Sequence, residues 1–365
     1  MAVGAFAGGQ AVGIVDGRAR SYSAAMLSLI ALLTHAAQAD QLLFVGNSYT
    51  FYNDLNLTVA YLMETRGGGI LAARLVGGGM TFGQHYTNAQ DKETNWHAAL
   101  VSPEQIWDWV ILQEQSQIPG FPESSSYITE SVAAAQGLDG LIAAKDAETV
   151  FMMTWGRRSG DSQNADRYPD FSTMQGHLTD GYLRYQAETT TADRPTWIAP
   201  VGLAFEHIHD SILEGGADPL SEESMFWTLY SNDGSHPSPR GSYLAACVIY
   251  VTLTGESSIG LPSQGSMSDS EREFLQTAAD AAVFGSLDLL DYPWEDDSAP
   301  EDTASPTDTG GDGDTGTAED RDDDTDGDTG TDADADADAG GSGCGGGRAG
   351  LLVGLLAALG WRRRR

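Results

Sequence analysis

A hydroxyl attacks a carbonyl carbon efficiently only when a neighbouring base takes its proton, and histidine serves as that base at neutral pH. Two stretches of this chain hold the parts. In the first, the apolar run Leu42-Leu43-Phe44-Val45 stops at Gly46, and Asn47 and Ser48 follow. Strand, tight turn and small nucleophile in that order put the Ser48 hydroxyl at the carboxyl end of a strand, where open α/β sheets bind ligands. In the second, Asp233-Gly234-Ser235-His236-Pro237-Ser238 sets an acid three residues ahead of a histidine on one loop. A catalytic histidine needs such an acid to fix its tautomer and stabilise the imidazolium. Each stretch also has a plainer reading. Gly-Asn-Ser is ordinary turn chemistry, and Asp-Gly followed by serine makes a turn leading into a helix cap. Together the two stretches can supply nucleophile, base and orienting acid.

The elements that must position these residues are legible as alternating patterns. Strands are expected over 42–45, 71–76, 107–113, 149–154 and 196–201, and helices over 55–65, 125–144, 171–189, 241–254 and 268–284. Strands alternating with helices predict a three-layer α/β/α sandwich with about five parallel strands. In such a fold Ser48, the glycines Gly77 to Gly79, the segment Gln113 to Gln117 and the Asp233–His236 loop all converge on the carboxyl edge of the sheet.

The rest of the chain narrows the foldable part. It has 365 residues and a formal net charge of −34, unevenly spread. Arg18 and Arg20 precede a short apolar segment over 24–33, then Ala37-Gln38-Ala39. Basic flank, apolar core and A-x-A site predict a secretory signal within 1–39, cleaved after Ala39, with residues 1–20 fitting a misplaced start. The apolar run is too short to span a bilayer comfortably. From 295 to 343 Asp, Thr, Gly and Ala dominate and carry about half of the net negative charge, which predicts a disordered linker. Asp322, Asp324, Asp326 and Gly327 match the first half of a calcium loop, but Ala333 stands where the closing acid belongs. Cys247 and Cys344 are the only cysteines, so the domain has no internal disulfide framework. A single domain over 40–294 remains, ample for one core. It shows no basic patch for nucleic acid.

Gly46-Asn47-Ser48 and the Asp-x-x-His of 233–236 are joined by Ile111-Leu112-Gln113-Glu114-Gln115-Ser116, Thr154-Trp155-Gly156 and Ala199-Pro200-Val201-Gly202. With these segments, residues 41–255 resemble the SGNH/GDSL hydrolases, serine esterases and lipases on a flavodoxin-like sheet. The likeness is to a poorly characterised bacterial branch in which Gly-Asn-Ser replaces the commoner Gly-Asp-Ser. It implies Ser48 as nucleophile, His236 as general base and Asp233 as orienting acid, with no metal or organic cofactor. It also implies an oxyanion hole built from the Ser48 N–H, a glycine N–H after the second strand and an asparagine side chain after the third. Gly79 best matches the glycine, with Gly78 as the alternative. The Gly-x-Asn-Asp that would carry the asparagine is absent, so Gln113 or Gln117 must stand in. The C-terminal end, with Cys344, an apolar run over 349–361 and Arg362 to Arg365, resembles the sorting tags of myxobacterial surface proteins. That implies export and attachment to the cell envelope; a simple tail anchor is the alternative.

The combined expectation is a monomeric, surface-anchored esterase acting on a small-molecule or polysaccharide ester, without the long apolar lid of a lipase. Two other classes compete. The missing Gly-x-Asn-Asp fits an inactive module that binds glycans. Glu206-His207-Ile208-His209-Asp210 raises a metal hydrolase, though a third histidine ligand is not nearby. His85 borders the expected cleft, and Trp155, at the end of its strand, is a candidate cleft wall.

Overall fold

Strands buried on both faces read as continuous apolar runs and suit a parallel sheet covered by helices. The computed structural model describes residues 40–67 and 69–295. Within them lie β1 (Asp40–Gly46), β2 (Ile70–Val76), β3 (Trp109–Leu112), β4 (Glu148–Met152) and β5 (Trp197–Ala199). All neighbours pair in parallel, in the order β2-β1-β3-β4-β5. This is the doubly wound order whose direction reverses between β1 and β3, the place where such sheets take ligands. The expected signal region and acidic linker with its half calcium loop, Cys344 and the arginine-rich end lie outside the described residues.

Two helical layers cover the sheet. On one side α2 (Leu55–Met63) and α7 (Val201–Glu214) pack with α9 (Pro239–Thr254) and α10 (Asp269–Phe284). On the other side α3 (Phe82–Gln90) packs on α5 (Ser126–Ala143), which meets α6 (Phe171–Thr189). Among the described residues there are also three short α-helices: α1 (Ser48–Phe51), α4 (Asn95–Leu100) and α8 (Met225–Thr228). The α/β/α sandwich is therefore the fold.

Several boundaries differ from the sequence pattern for local reasons. The third strand starts at Trp109, because Asp108 turns its carboxylate onto the Gln41 N–H at 2.7 Å. The fifth ends at Ala199, because Pro200 has no N–H to extend a ladder and sits at the start of α7. Helix α3 falls in a polar stretch with little apolar periodicity. Its start is set by a capping box in which Thr81 and Gln84 satisfy each other's backbone N–H.

Strand register brings the functional loops level. Val45 pairs with Leu75 on one side and Leu112 on the other, so β1, β2 and β3 finish together. Helix α9 anchors the histidine loop from behind. Ser238 caps it through the Arg240 and Gly241 N–H groups, with Pro239 at its first position. From Gly241 to Leu253 every residue of α9 is buried. A helix apolar all round belongs in the core, so the chain leaving His236 enters the buried core of the domain.

Candidate active site

The turn that carries Ser48 has room for glycine alone at its first position. A methyl group on Gly46 would lie 2.3 Å from Thr50 Oγ1 and 2.7 Å from Gln113 Oε1. Asn47 then caps α1, its Oδ1 accepting the Tyr49 N–H at 3.1 Å. Its Nδ2 donates to the Met80 carbonyl at 3.1 Å, fastening the serine turn to the glycine turn after β2. An aspartate could accept the first bond but not donate the second, which gives the amide at this position a physical reason.

Ser48 Oγ lies 2.8 Å from His236 Nε2, and His236 Nδ1 lies 2.6 Å from Asp233 Oδ2. The second Asp233 oxygen accepts the backbone N–H groups of Ser235 and His236, both at 2.9 Å. Partial burial pushes the Asp233 carboxyl up. The bonds from His236 and the two backbone N–H groups outweigh that push and hold it below the usual carboxylate value. Asp233 is thus ionised at neutral pH and fixes the His236 ring with Nε2 toward the serine. The structure brings these three residues into one chain of hydrogen bonds, open to solvent on the Asp233 side, which is about half exposed.

Aromatic rings hold the histidine in place. Tyr52 stacks on the imidazole with centroids 4.3 Å apart and planes 17° apart, and Tyr49 meets it edge-on at 5.6 Å. The Tyr49 hydroxyl bonds Ser235 Oγ at 2.7 Å. After Tyr52 the chain turns through left-handed Asn53 (φ 53°), whose amide donates to the Pro237 carbonyl at 3.1 Å and to Ser242 Oγ at 2.9 Å. Neither tyrosine stands out in the sequence as a site residue. The available signal was spacing, since Tyr52 follows Ser48 by four residues and shares its side of a one-turn helix.

The oxyanion side differs from expectation. The Gly77–Met80 turn closes through Met80 N–H to the Gly77 carbonyl at 3.2 Å, with Gly79 at φ 67°. Among the described residues neither the Ser48 N–H nor those of Gly78 and Gly79 has an acceptor. Gln113 and Gln117, expected to offer a third donor, are engaged elsewhere. The buried Gln113 accepts the Asn47 N–H and the Thr50 hydroxyl on Oε1, both at 2.9 Å, and its Nε2 donates to the Glu114 carbonyl. Gln117 Nε2 donates to Asp161 Oδ2 at 2.5 Å and to Gln163 Oε1 at 3.3 Å. Gln113 therefore braces the nucleophile turn from beneath, and Gln117 ties its loop to the Asp161 segment.

Glu114, which carried no assignment, is the wholly buried brace of the opposite turn. Its two oxygens accept the Phe82 N–H at 3.0 and 3.1 Å, Oε1 also takes the Gln115 N–H at 2.5 Å, and Ser131 donates to Oε2. Phe82 opens α3 directly after the glycine turn, so this carboxylate fixes where that turn ends. Burial raises the carboxyl strongly, and the bonds from Ser131, Gln115 and Phe82 only partly offset it, leaving it pushed up to about 7.

Other flagged residues fall outside the site. Trp155 is wholly buried between Tyr49 and Phe205, stacked at 4.6 and 4.7 Å, and its indole N–H holds the Ser235 carbonyl at 3.1 Å. It supports the histidine loop from the core rather than lining a cleft. His85 is buried too, accepting the Trp96 indole N–H at 2.8 Å, and desolvation lowers its pKa to about 4. His207 and His209 sit on α7 with the first exposed and the second buried between Phe171 and Phe226. Two histidines on different sides of a helix cannot share one ion, and among the described residues no cluster of three or more His, Cys, Asp or Glu has the arrangement of a metal site. Cys247 is buried in α9, its thiol pushed up to about 12 by desolvation.

A solved structure shares this architecture. A DUF4886 family protein from Bacteroides uniformis is 17% identical, with a TM-score of 0.53 over 67% of this chain and 95% of that one. The likeness is one of fold. A candidate SGNH hydrolase from Slackia heliotrinireducens is 24% identical over 58% of this chain and 97% of that one, with a TM-score of 0.43. An acetylxylan esterase from Geobacillus stearothermophilus is 16% identical over 58% and 91%, with a TM-score of 0.38. No protein-family model and no curated protein matches the chain.

Proposed function

We propose that this protein is a serine ester hydrolase of the SGNH kind, acting on carboxylic esters. The observation that carries the reading is the continuous hydrogen-bonded line Asp233–His236–Ser48, with 2.6 and 2.8 Å links. A serine placed for packing or capping has no need of an oriented imidazole backed by an ionised acid. In the proposed reaction His236 Nε2 takes the Ser48 proton as Oγ attacks the ester carbonyl. Negative charge gathers on the carbonyl oxygen, for which the N–H groups of Ser48 and of Gly79 or Gly78 are open donors. His236 then protonates the leaving alcohol, and water repeats the sequence on the acyl-enzyme. The site lies among exposed and half-buried polar groups, which suits a polar ester such as an O-acyl carbohydrate better than a lipid. The signal-like leader and the arginine-flanked tail favour attachment at the cell envelope as the place where it works.

Fluorophosphonate labelling of the full chain beside Ser48→Ala, with hydrolysis of a short-chain aryl acetate followed in parallel, tests the reading. Labelling and turnover in the parent, both lost in the variant, are expected, with turnover falling by at least about 10⁴-fold. A folded parent that neither labels nor turns over would overturn it and leave the inactive glycan-binding module.

A further inference from the structure

Arg158 stands apart from the other arginines. Every other arginine among the described residues gives its guanidinium to a carboxylate or a backbone carbonyl: Arg157 to Asp161, Arg167 to the Gly120 carbonyl, Arg194 to Asp139 and the rest likewise. Among the described residues Arg158 gives its guanidinium to no carboxylate or carbonyl at all; its buried Nε lacks an acceptor, as that of Arg157 does, but Arg157 still holds Asp161 through Nη1. An ionised donor left unsatisfied in a folded protein is costly and calls for an explanation.

The group is also held still. Its Cζ lies 3.4 Å from the centroid of the Trp227 ring, and the Arg158 backbone N–H donates to the Gly234 carbonyl at 2.8 Å. A methyl group on Gly234 would lie 3.4 Å from Nη2 and 3.5 Å from Nε, so the guanidinium packs against the Asp233–His236 loop itself. A guanidinium seated on an aromatic ring keeps its in-plane N–H groups available for a planar anion.

We infer that Arg158 forms a subsite for a carboxylate carried by the alcohol half of the ester. The inference rests on the ester-hydrolase reading above. The alcohol half is the relevant one because His236 hands its proton to the leaving oxygen, and Arg158 flanks the loop that carries His236. The acyl oxygen, in contrast, faces the serine and glycine turns. A carboxylate matches the paired N–H edge of arginine, as an acidic sugar or a carboxyphenol would present it.

The test compares hydrolysis of 4-acetoxybenzoate with that of its methyl ester by the full-length parent, Arg158→Met and Arg158→Lys. The parent is expected to favour the acid by about tenfold or more in kcat/KM, chiefly through KM, with the preference shrinking as salt rises. Arg158→Met should abolish the preference and Arg158→Lys should keep a fraction of it. If Arg158→Met does not fold, the lysine variant carries the test, since it retains the charge but loses the planar edge. Turnover of the methyl ester with the same acid-to-ester ratio in parent and variants would overturn the subsite while leaving the esterase reading intact. Hydrolysis of neither ester by the parent would overturn both. A parallel comparison with an acetylated phosphate-bearing alcohol separates carboxylate from phosphate, and a preference for the phosphate alone would overturn the carboxylate assignment.

Discussion

Two adjacent residues at the end of β3 hold the two turns of the proposed site, and they do so with opposite chemistry. Gln113 steadies the serine turn with a neutral amide that both accepts and donates. Glu114 steadies the glycine turn with a buried carboxylate that accepts four hydrogen bonds and has no cation within ion-pair distance among the described residues. The neutral brace is indifferent to pH and fails only if its shape is lost. The charged brace makes stronger bonds but carries a desolvation cost that depends on pH. The nucleophile is thus fixed by geometry alone, whereas the opposite turn is fixed by a group whose charge changes near neutrality.

Gln113→Leu should break the comparison on its neutral side with the largest effect. It orphans the Asn47 N–H and the Thr50 hydroxyl in a buried place, at about 1–3 kcal/mol each. Urea unfolding should show a loss of about 2–6 kcal/mol at any pH, and fluorophosphonate labelling of Ser48 should slow well below the midpoint. A variant that labels as fast as the parent would show that the turn does not need its brace.

Glu114→Gln sharpens the charged side. The folded carboxyl, pushed up to about 7 from 4.5, holds its proton more tightly than the unfolded one. Where the native state binds more protons, stability falls as pH rises, here between about 4.5 and 7. The shift corresponds to about 3 kcal/mol in all, and the loss is complete above pH 7. The difference in unfolding free energy between Glu114→Gln and the parent should therefore move in favour of the variant by about that amount from pH 5 to pH 8. Parallel pH curves for the two proteins would refute the charged brace.

The same contrast separates what the sequence shows from what it hides. Ser48 and the Asp233–His236 pair stand out because each owes its placement to a few neighbouring residues, a strand end and an Asp-initiated turn. The sheet is legible for a similar reason, since its strands are unbroken apolar runs. Gln113 attracts notice as a polar residue at a strand end, yet its role depends on Asn47, 66 residues away in the chain. Glu114 depends in the same way on Phe82 and Ser131. No periodicity reports which way a buried amide turns. Trp155 misleads because strand-end position suggests a cleft, whereas the ring lies between Tyr49 and Phe205. Arg158 is invisible for the opposite reason: what marks it is the partner it lacks among the described residues.

Asn47 gives the smallest expected effect and the finest test of amide against acid. Asn47→Asp keeps an acceptor for the Tyr49 N–H but loses the donor that holds the Met80 carbonyl at 3.1 Å. Two acceptors would then face each other in a site that is almost wholly buried, at a cost of about 1–3 kcal/mol while the acid is ionised. That repulsion and burial raise the new carboxyl above its unfolded value, so the penalty is present at neutral pH and shrinks as acidification restores an O–H donor. The gap in Tm between parent and variant should narrow from pH 7 to pH 4, and kcat at pH 7 should fall with little change in KM. A gap that widens on acidification would mean that the 3.1 Å contact between the serine and glycine turns does not hold them together.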